Sequence, residues 1–275
     1  MIVDMRDYEV SFIRLKEWFN ENTDGRVVVA LSGGVDSAVV ALAAKHTLQD
    51  NALAITANYK TLAESEMNTA INIAKEIGIR HIIIEYSELD DPKFIRNDNL
   101  RCYYCRKSLS EYLLSYSKLF NISYIVDGTN VDDLMDYRPG IKALREYGIK
   151  SPLLDIKIGK HMIRKIAKNF GLSISNKPSN SCLASRIPFG KKITQEKLTK
   201  IENAENIVKE LFKVEQVRVR DHEKIARIEI GANEFGKMFD SNKLKILNSK
   251  LTEIGFQYVT LDLAGYKSGN LVVIE

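Results

Sequence analysis

Between residues 27 and 126, short unbroken apolar runs alternate with longer stretches at helical spacing, and this alternation limits the fold more than any other feature of the chain. The runs VVVAL (27–31), ALAITA (52–57), III (82–84) and YIV (124–126) are too short for helices. They also lack the polar alternation of a half-exposed strand, so they read as strands buried on both faces. The intervening stretches 38–48, 64–77 and 103–119 carry apolar side chains at helical period, and YEVSFIRLKEWFN (8–20) reads as an amphipathic lead-in helix. Strand, helix, strand, helix predicts an α/β fold: a doubly wound parallel sheet with right-handed crossovers and helices on both faces. Ligands of such sheets bind beyond the carboxyl ends of the strands.

The pattern changes toward the C-terminus. A helix after Gly159 runs through Phe170 to a stop at Gly171, followed by the turn-rich NKPSNSCLASRIPFG. Beyond Lys192 come a long helix (TQEKLTKIENAENIVKELF), an alternating pair (VRVRDH and KIARIEI), a helical stretch (KLKILNSKLTEIG) and a closing strand (YVTLDL). This mixture predicts a smaller α+β domain of about 85 residues, 191–275, after a first domain of residues 1–190.

The 275 residues are 45% hydrophobic and 28% charged, with five prolines and no repeat, the composition of an ordinary globular protein. No apolar stretch approaches the ~20 residues of a membrane span, and the N-terminus lacks the layout of a signal peptide, so a cytoplasmic protein is expected. A net charge of +4 is too small and too dispersed for a duplex-wrapping protein, which makes nucleic acid an improbable partner and leaves room for an anionic small molecule. Three cysteines in a cytosolic chain are ligands or reagents rather than a disulfide framework.

The first buried strand runs into LSGGVDSA and then the apolar helix AVVALAAKH. A glycine turn into a helix N-terminus presents backbone N–H groups that suit phosphate. Neither the Walker pattern nor the G-x-G-x-x-G fingerprint occurs around Ser32. Ser32 and Ser37 offer hydroxyls, Gly33 and Gly34 offer amides, and Asp36 is a carboxylate that phosphates would repel unless a hard cation bridges them. The inference is ATP with Mg2+, held by Asp36. SGGVDS after a buried strand resembles the PP-loop of the ATP pyrophosphatase superfamily, which implies cleavage of ATP between its α and β phosphates.

Cys102 and Cys105 sit three apart at the start of a helical pattern and can face one point, while Cys182 lies far away in the loop SNSCLASRIPFG. Read from spacing alone, they are small buried hydrophobes, a structural zinc site lacking an evident fourth ligand, a thiol relay feeding a persulfide, or three ligands of a [4Fe–4S] cluster with one iron open.

DGTNVDDLMDYRPGIKALREYG, SNSCLASRIPFG, VRVRDHEKIARIEI and YVTLDLAGYKSG together resemble the LarE family of ATP-dependent sulfur transferases, over nearly the whole chain. The resemblance implies adenylylation of a carboxylate of pyridinium-3,5-biscarboxylic acid mononucleotide and its conversion to a thiocarboxylate for the nickel-pincer nucleotide cofactor. Within the family, sulfur comes either from a sacrificed cysteine at the position of Cys182 or from a sulfide on a [4Fe–4S] cluster held by three cysteines. Cys102 and Cys105 beside Cys182 match the cluster type. The resemblance also implies homo-oligomers and further proteins of nickel-pincer cofactor assembly as partners, and leaves the sulfide source unnamed.

Further residues have two readings each. Arg138 in DYRPG suits a phosphate or carboxylate, or forms a surface ion pair. Gly128 ends the strand YIVDG at a nucleotide contact or at a plain turn. Ser185 and Arg186 follow Cys182 closely enough to clamp an anionic substrate. Arg218 and Arg220 alternate on one strand face, which is either solvated or aimed at one target. The resemblance assigns that pair to the substrate phosphate and places Glu205 and Glu229 near the same site. The rival functions are a tRNA thiolase, an ammonia-using amide-forming relative, and a module that holds ATP without cleaving it.

Overall fold

The computed structural model describes residues 6–134, 139–178 and 180–267, packed as two compact units. The first comprises residues up to 87 and 102–179, the second 88–101 and 180 onward. The sequence places a single cut near residue 190; by packing, a short internal segment joins the second unit as well.

The first unit is built on β1 (Val27–Ala30), β2 (Ala52–Asn58), β3 (Arg80–Glu85) and β4 (Ile125–Val126), in the order β3-β2-β1-β4, with every pairing parallel. Side chains alternate across a strand, so β1 feeds two cores. Val27 and Val29 pack with α1 (Asp7–Asn22), α2 (Val35–Leu48) and α3 (Glu64–Ile77), whereas Val28 joins Leu53, Ile55 and Ile84 on the opposite face. The second unit contributes α4 (Pro92–Ile95). The next helix, α5 (Arg101–Leu119), covers the Val28 face through Leu109 and Leu113, and α6 (Pro139–Glu146) adds Leu144. After α7 (Pro152–Asp155), α8 (Lys160–Asn169) returns to the Val27 face through Ile163, Ile166 and Ala167. Helices therefore cover both faces, as the apolar runs require: a doubly wound parallel sheet.

In the second unit, α9 (Gln195–Phe212) starts at a Thr194 cap whose hydroxyl accepts from the Lys197 N–H. β5 (Val217–His222) and β6 (Ile225–Ile230) form an antiparallel hairpin, and after α10 (Ser241–Glu253) the strand β7 (Tyr258–Leu261) pairs parallel to β6. Val217, Val219, Ile228 and Ile230 make the apolar sheet face, packed with Ala204, Val208, Phe212, Leu247 and Leu251. No helix among the described residues is long and apolar enough to cross a membrane.

Candidate active site

The chain leaves β1 at Ala30 and enters α2 at Val35 through Leu31–Gly34. Gly33 adopts φ +75°, and a Cβ there would lie 2.6 Å from the Glu66 carbonyl oxygen, so both conformation and space demand glycine. Gly34 is the N-cap of α2 and has no side chain to occupy the N–H groups of the first turn. The buried Ser37 hydroxyl accepts from the Ser32 N–H (3.1 Å), lies 3.1 Å from the Ser32 hydroxyl and donates to the Gly34 carbonyl (3.0 Å). Gly128, beyond β4, comes so close that a Cβ would sit 2.6 Å from the Ser37 nitrogen. Ser32, Gly33, Gly34, Asp36, Ser37 and Gly128 thus meet at the carboxyl edge of the sheet. Amides, hydroxyls and the Asp36 carboxylate at a positive helix end are a donor set that fits a polyphosphate with a hard cation.

A lysine absent from the loop itself reaches it from far along the chain. Lys177 Nζ donates to the Gly33 carbonyl (3.3 Å) and pairs with Glu66 (2.8 Å), so a cation stands beside the glycine turn. The NKPSN string was the available signal, but nothing in its spacing points back 144 residues. Asp127, next to Gly128, accepts from the Thr129 N–H and hydroxyl and from the Ser151 hydroxyl, which fixes the chain at the end of β4.

Cys102 is exposed and Cys105 half-buried in the first turns of α5; Cys182 is half-buried ahead of a 3-10 turn at Leu183–Arg186, and all three are free thiols. The residues flanking the cysteines are tied to one another. Fully buried Asn97, at φ +58°, donates from its amide toward the carbonyls of Ile187, Pro188 and Lys191 at 2.8–3.3 Å. Arg101, immediately before Cys102, donates to Asn97 Oδ1 (2.7 Å) and to the carbonyl of Ala184, two residues beyond Cys182 (3.1 Å). Sequence reasoning missed this clamp, because DNLR carries no pattern that announces a partner 90 residues away. Among the described residues, no group of three or more His, Cys, Asp or Glu side chains is gathered so as to hold a metal. The donor chemistry of three free thiols suits a thiolate-held cluster; their convergence is not part of the geometry.

The candidate substrate residues form a buried network in the second unit. Arg186, wholly buried, makes a two-pronged pair with Glu205 (2.8 and 3.0 Å) and donates to the Cys182 carbonyl (2.8 Å), while Glu205 also accepts the Val219 N–H. Arg220 makes a second two-pronged pair with the fully buried Glu229 (3.0 and 2.7 Å) and donates to the Ser185 carbonyl (2.8 Å). Arg218 donates to the Val217 carbonyl and lies over the Tyr266 ring. Burial first, and then the neighbouring Arg186 charge, hold the Arg218 guanidinium below its ordinary value. With Arg218 3% and Arg220 4% exposed, the solvated-face alternative is excluded. Arg138 lies outside the described residues.

A parallel sheet whose first strand ends in SGGVDS, with a glycine from a neighbouring strand end laid on the following helix, defines a PP-loop protein, an ATP-dependent class of enzyme. A family model described as NAD synthase matches residues 8–94. The chain is 40% identical to an uncharacterized protein of Synechocystis over 257 residues, 94% of this chain and 95% of the relative. It is 34% identical to an uncharacterized protein of Methanocaldococcus jannaschii over 92% of this chain and 94% of the relative. It is also 34% identical to the pyridinium-3,5-bisthiocarboxylic acid mononucleotide synthase of Lactiplantibacillus plantarum, over 90% of this chain and 88% of that enzyme. The chain belongs to the LarE family of PP-loop enzymes.

Proposed function

We propose that this protein is an ATP-dependent sulfur transferase that converts a carboxylate of pyridinium-3,5-biscarboxylic acid mononucleotide into a thiocarboxylate for nickel-pincer cofactor synthesis. The observation that carries the reading is the phosphate cradle of Ser32, Gly33, Gly34, Ser37 and Gly128, in a chain similar to the named synthase through both units. In the first step a substrate carboxylate oxygen bonds to the α-phosphorus of ATP and pyrophosphate leaves. The cradle orients the β and γ phosphates, Asp36 holds Mg2+, and Lys177 adds positive charge beside Gly33. In the second step a sulfide equivalent, from an external donor, bonds to the acyl carbon, and AMP departs with the former carboxylate oxygen.

Cys102, Cys105 and Cys182 are the proposed ligands of a [4Fe–4S] cluster, which when bound supplies an iron without a protein ligand for the transferred sulfide. Arg186 and Arg220 hold the Cys182–Ser185 backbone, and Ser185, Arg186, Arg218, Arg220, Glu205, Glu229 and Arg138 are proposed to form the substrate site. Residues 1–190 are assigned to ATP and cysteine chemistry and 191–275 to substrate binding or self-association. A cytoplasmic homo-oligomer working with other nickel-pincer assembly proteins completes the reading.

The test uses protein purified without oxygen and supplied with ATP, Mg2+, the biscarboxylate nucleotide and sulfide. The expected result is about four irons per chain, lost in the Cys102→Ala/Cys105→Ala variant, with AMP, pyrophosphate and thiocarboxylate formed over many turnovers. Iron-free protein that works once and loses the mass of one sulfur would replace the cluster by a sacrificed Cys182. Substrate-independent ATP cleavage, or tight tRNA binding that weakens steeply with salt, would overturn the substrate assignment.

A further inference from the structure

Arg106 follows Cys105 on α5, and neither the cradle nor the buried arginine network uses it. In a parallel β-α-β unit the crossover helix runs back against the strands, so the first turns of α5 lie over the carboxyl ends of β2, β3 and β4. Tyr59 follows β2, Tyr86 follows β3 and Asp127 follows β4; these three and Cys105 lie within electrostatic range of the Arg106 guanidinium. Asp127 is joined to Gly128, the glycine laid on Ser37, so Arg106 belongs to the same edge as the phosphate cradle.

Two features distinguish Arg106 from an arginine merely solvated on a helix. Its stem is pinned, because at Gly140 of α6 a Cβ would sit 2.8 Å from Arg106 Cγ and 3.2 Å from the Cys102 carbonyl oxygen; the close approach requires glycine. Its head is left over: the side chain is exposed, and among the described residues the guanidinium makes no hydrogen bond and no ion pair. A held stem with an uncommitted planar fork is organised in advance for an oxyanion. Beside it, Tyr59 and Tyr86 form a ring pair with centroids 5.8 Å apart, surfaces that suit a flat cationic ring.

We propose that Arg106 binds the planar carboxylate of the acceptor substrate, holding the carbon that receives sulfur next to the Cys105 end of α5. The assignment rests on the sulfur-transferase reading. A carboxylate is favoured over a nucleotide phosphate because the cradle and Lys177 already supply phosphate donors on the other side of Asp127, whereas Arg106 is one residue from a candidate sulfur-handling cysteine.

The experiment measures equilibrium binding of pyridinium-3,5-biscarboxylic acid mononucleotide and, separately, of ATP with Mg2+ to the full-length wild type, Arg106→Gln and Arg106→Lys, with iron content and thermal midpoint recorded for each. The expected result is at least a tenfold loss of mononucleotide affinity in Arg106→Gln and partial recovery in Arg106→Lys. ATP affinity, iron content and midpoint should stay unchanged. Unchanged mononucleotide affinity in Arg106→Gln, when the wild type binds it, overturns this assignment alone; a loss confined to ATP does the same and makes the ligand a phosphate. A wild type that does not bind the mononucleotide overturns this assignment together with the proposed function. Should Arg106→Gln fold poorly, Gly140→Ala, which pushes the stem aside and keeps the charge, is expected to weaken mononucleotide binding, and unaltered binding there would count against the assignment.

Discussion

The SGGVDS cradle and the Arg–Glu network of the second unit are both candidate anion sites, and they are built in opposite ways. In the cradle the ligand-facing groups are backbone amides and small hydroxyls, made accessible by two glycines whose missing side chains create the close contacts. In the network the charges already neutralise one another: Arg186 is closed on Glu205 and Arg220 on Glu229, away from solvent. The first is shaped for a ligand and contributes little to the stability of the fold. The second stabilises its own carboxylates and the Cys182 loop, so a substrate phosphate arriving there has to share guanidiniums that are committed.

Substitutions that break this comparison follow in order of size. Gly128→Ala places a methyl against the Ser37 nitrogen, and a displacement of this order at a reacting site costs about 100-fold; pyrophosphate release should fall by that factor with little change in the unfolding midpoint. Glu229→Ala should do the reverse, lowering stability by about 3–5 kcal/mol in urea unfolding because it strands Arg220 in the interior. Replacing the Arg220–Glu229 pair together by Met and Leu should recover most of that loss, and no recovery would mean the network is more than a mutual neutralisation. Asn97→Ala removes the donor to three carbonyls and should cost about 1–3 kcal/mol, with faster proteolysis of residues 184–191 as the local sign.

The smallest effect is a pH dependence. Burial holds His81 below the ordinary value of 6.5, its Nε2 2.8 Å from the Thr56 hydroxyl. The folded state therefore binds a proton less readily than the unfolded chain. Its contribution is intact above pH 6.5 and is lost as the pH falls from there through the folded value. His81→Gln should flatten unfolding stability over that window.

The strands and helices could be read from the sequence because their periods are local: VVVAL and ALAITA need only their own residues to read as buried strands, and the turn at Gly33 and Gly34 needs only the strand before it and the helix after. What could not be read depends on partners distant in the chain. Lys177 gains its place from Gly33 and Glu66, and Asn97 from a loop 90 residues onward. The alternation in VRVRDH correctly puts Arg218 and Arg220 on one face, yet period alone does not reveal that Glu205, Glu229 and the Ser185 carbonyl close over it. The cysteines are the intermediate case, since Cys102 and Cys105 share a helix by spacing, whereas Cys182 has no local rule connecting it to them.

The Asn97 and Arg101 clamp has a consequence for the order in which the protein is made. Domains fold as units as the chain emerges during synthesis, N-terminal parts first. Residues 88–101 leave the ribosome early, but their packing partners begin at residue 180, so this segment has to wait, its buried asparagine hydrated, while the sheet around it takes shape. A nascent chain halted anywhere between residues 102 and 180 should therefore be a good chaperone client at that one segment, and the half-molecules made by cutting the gene there should complement each other only when expressed together.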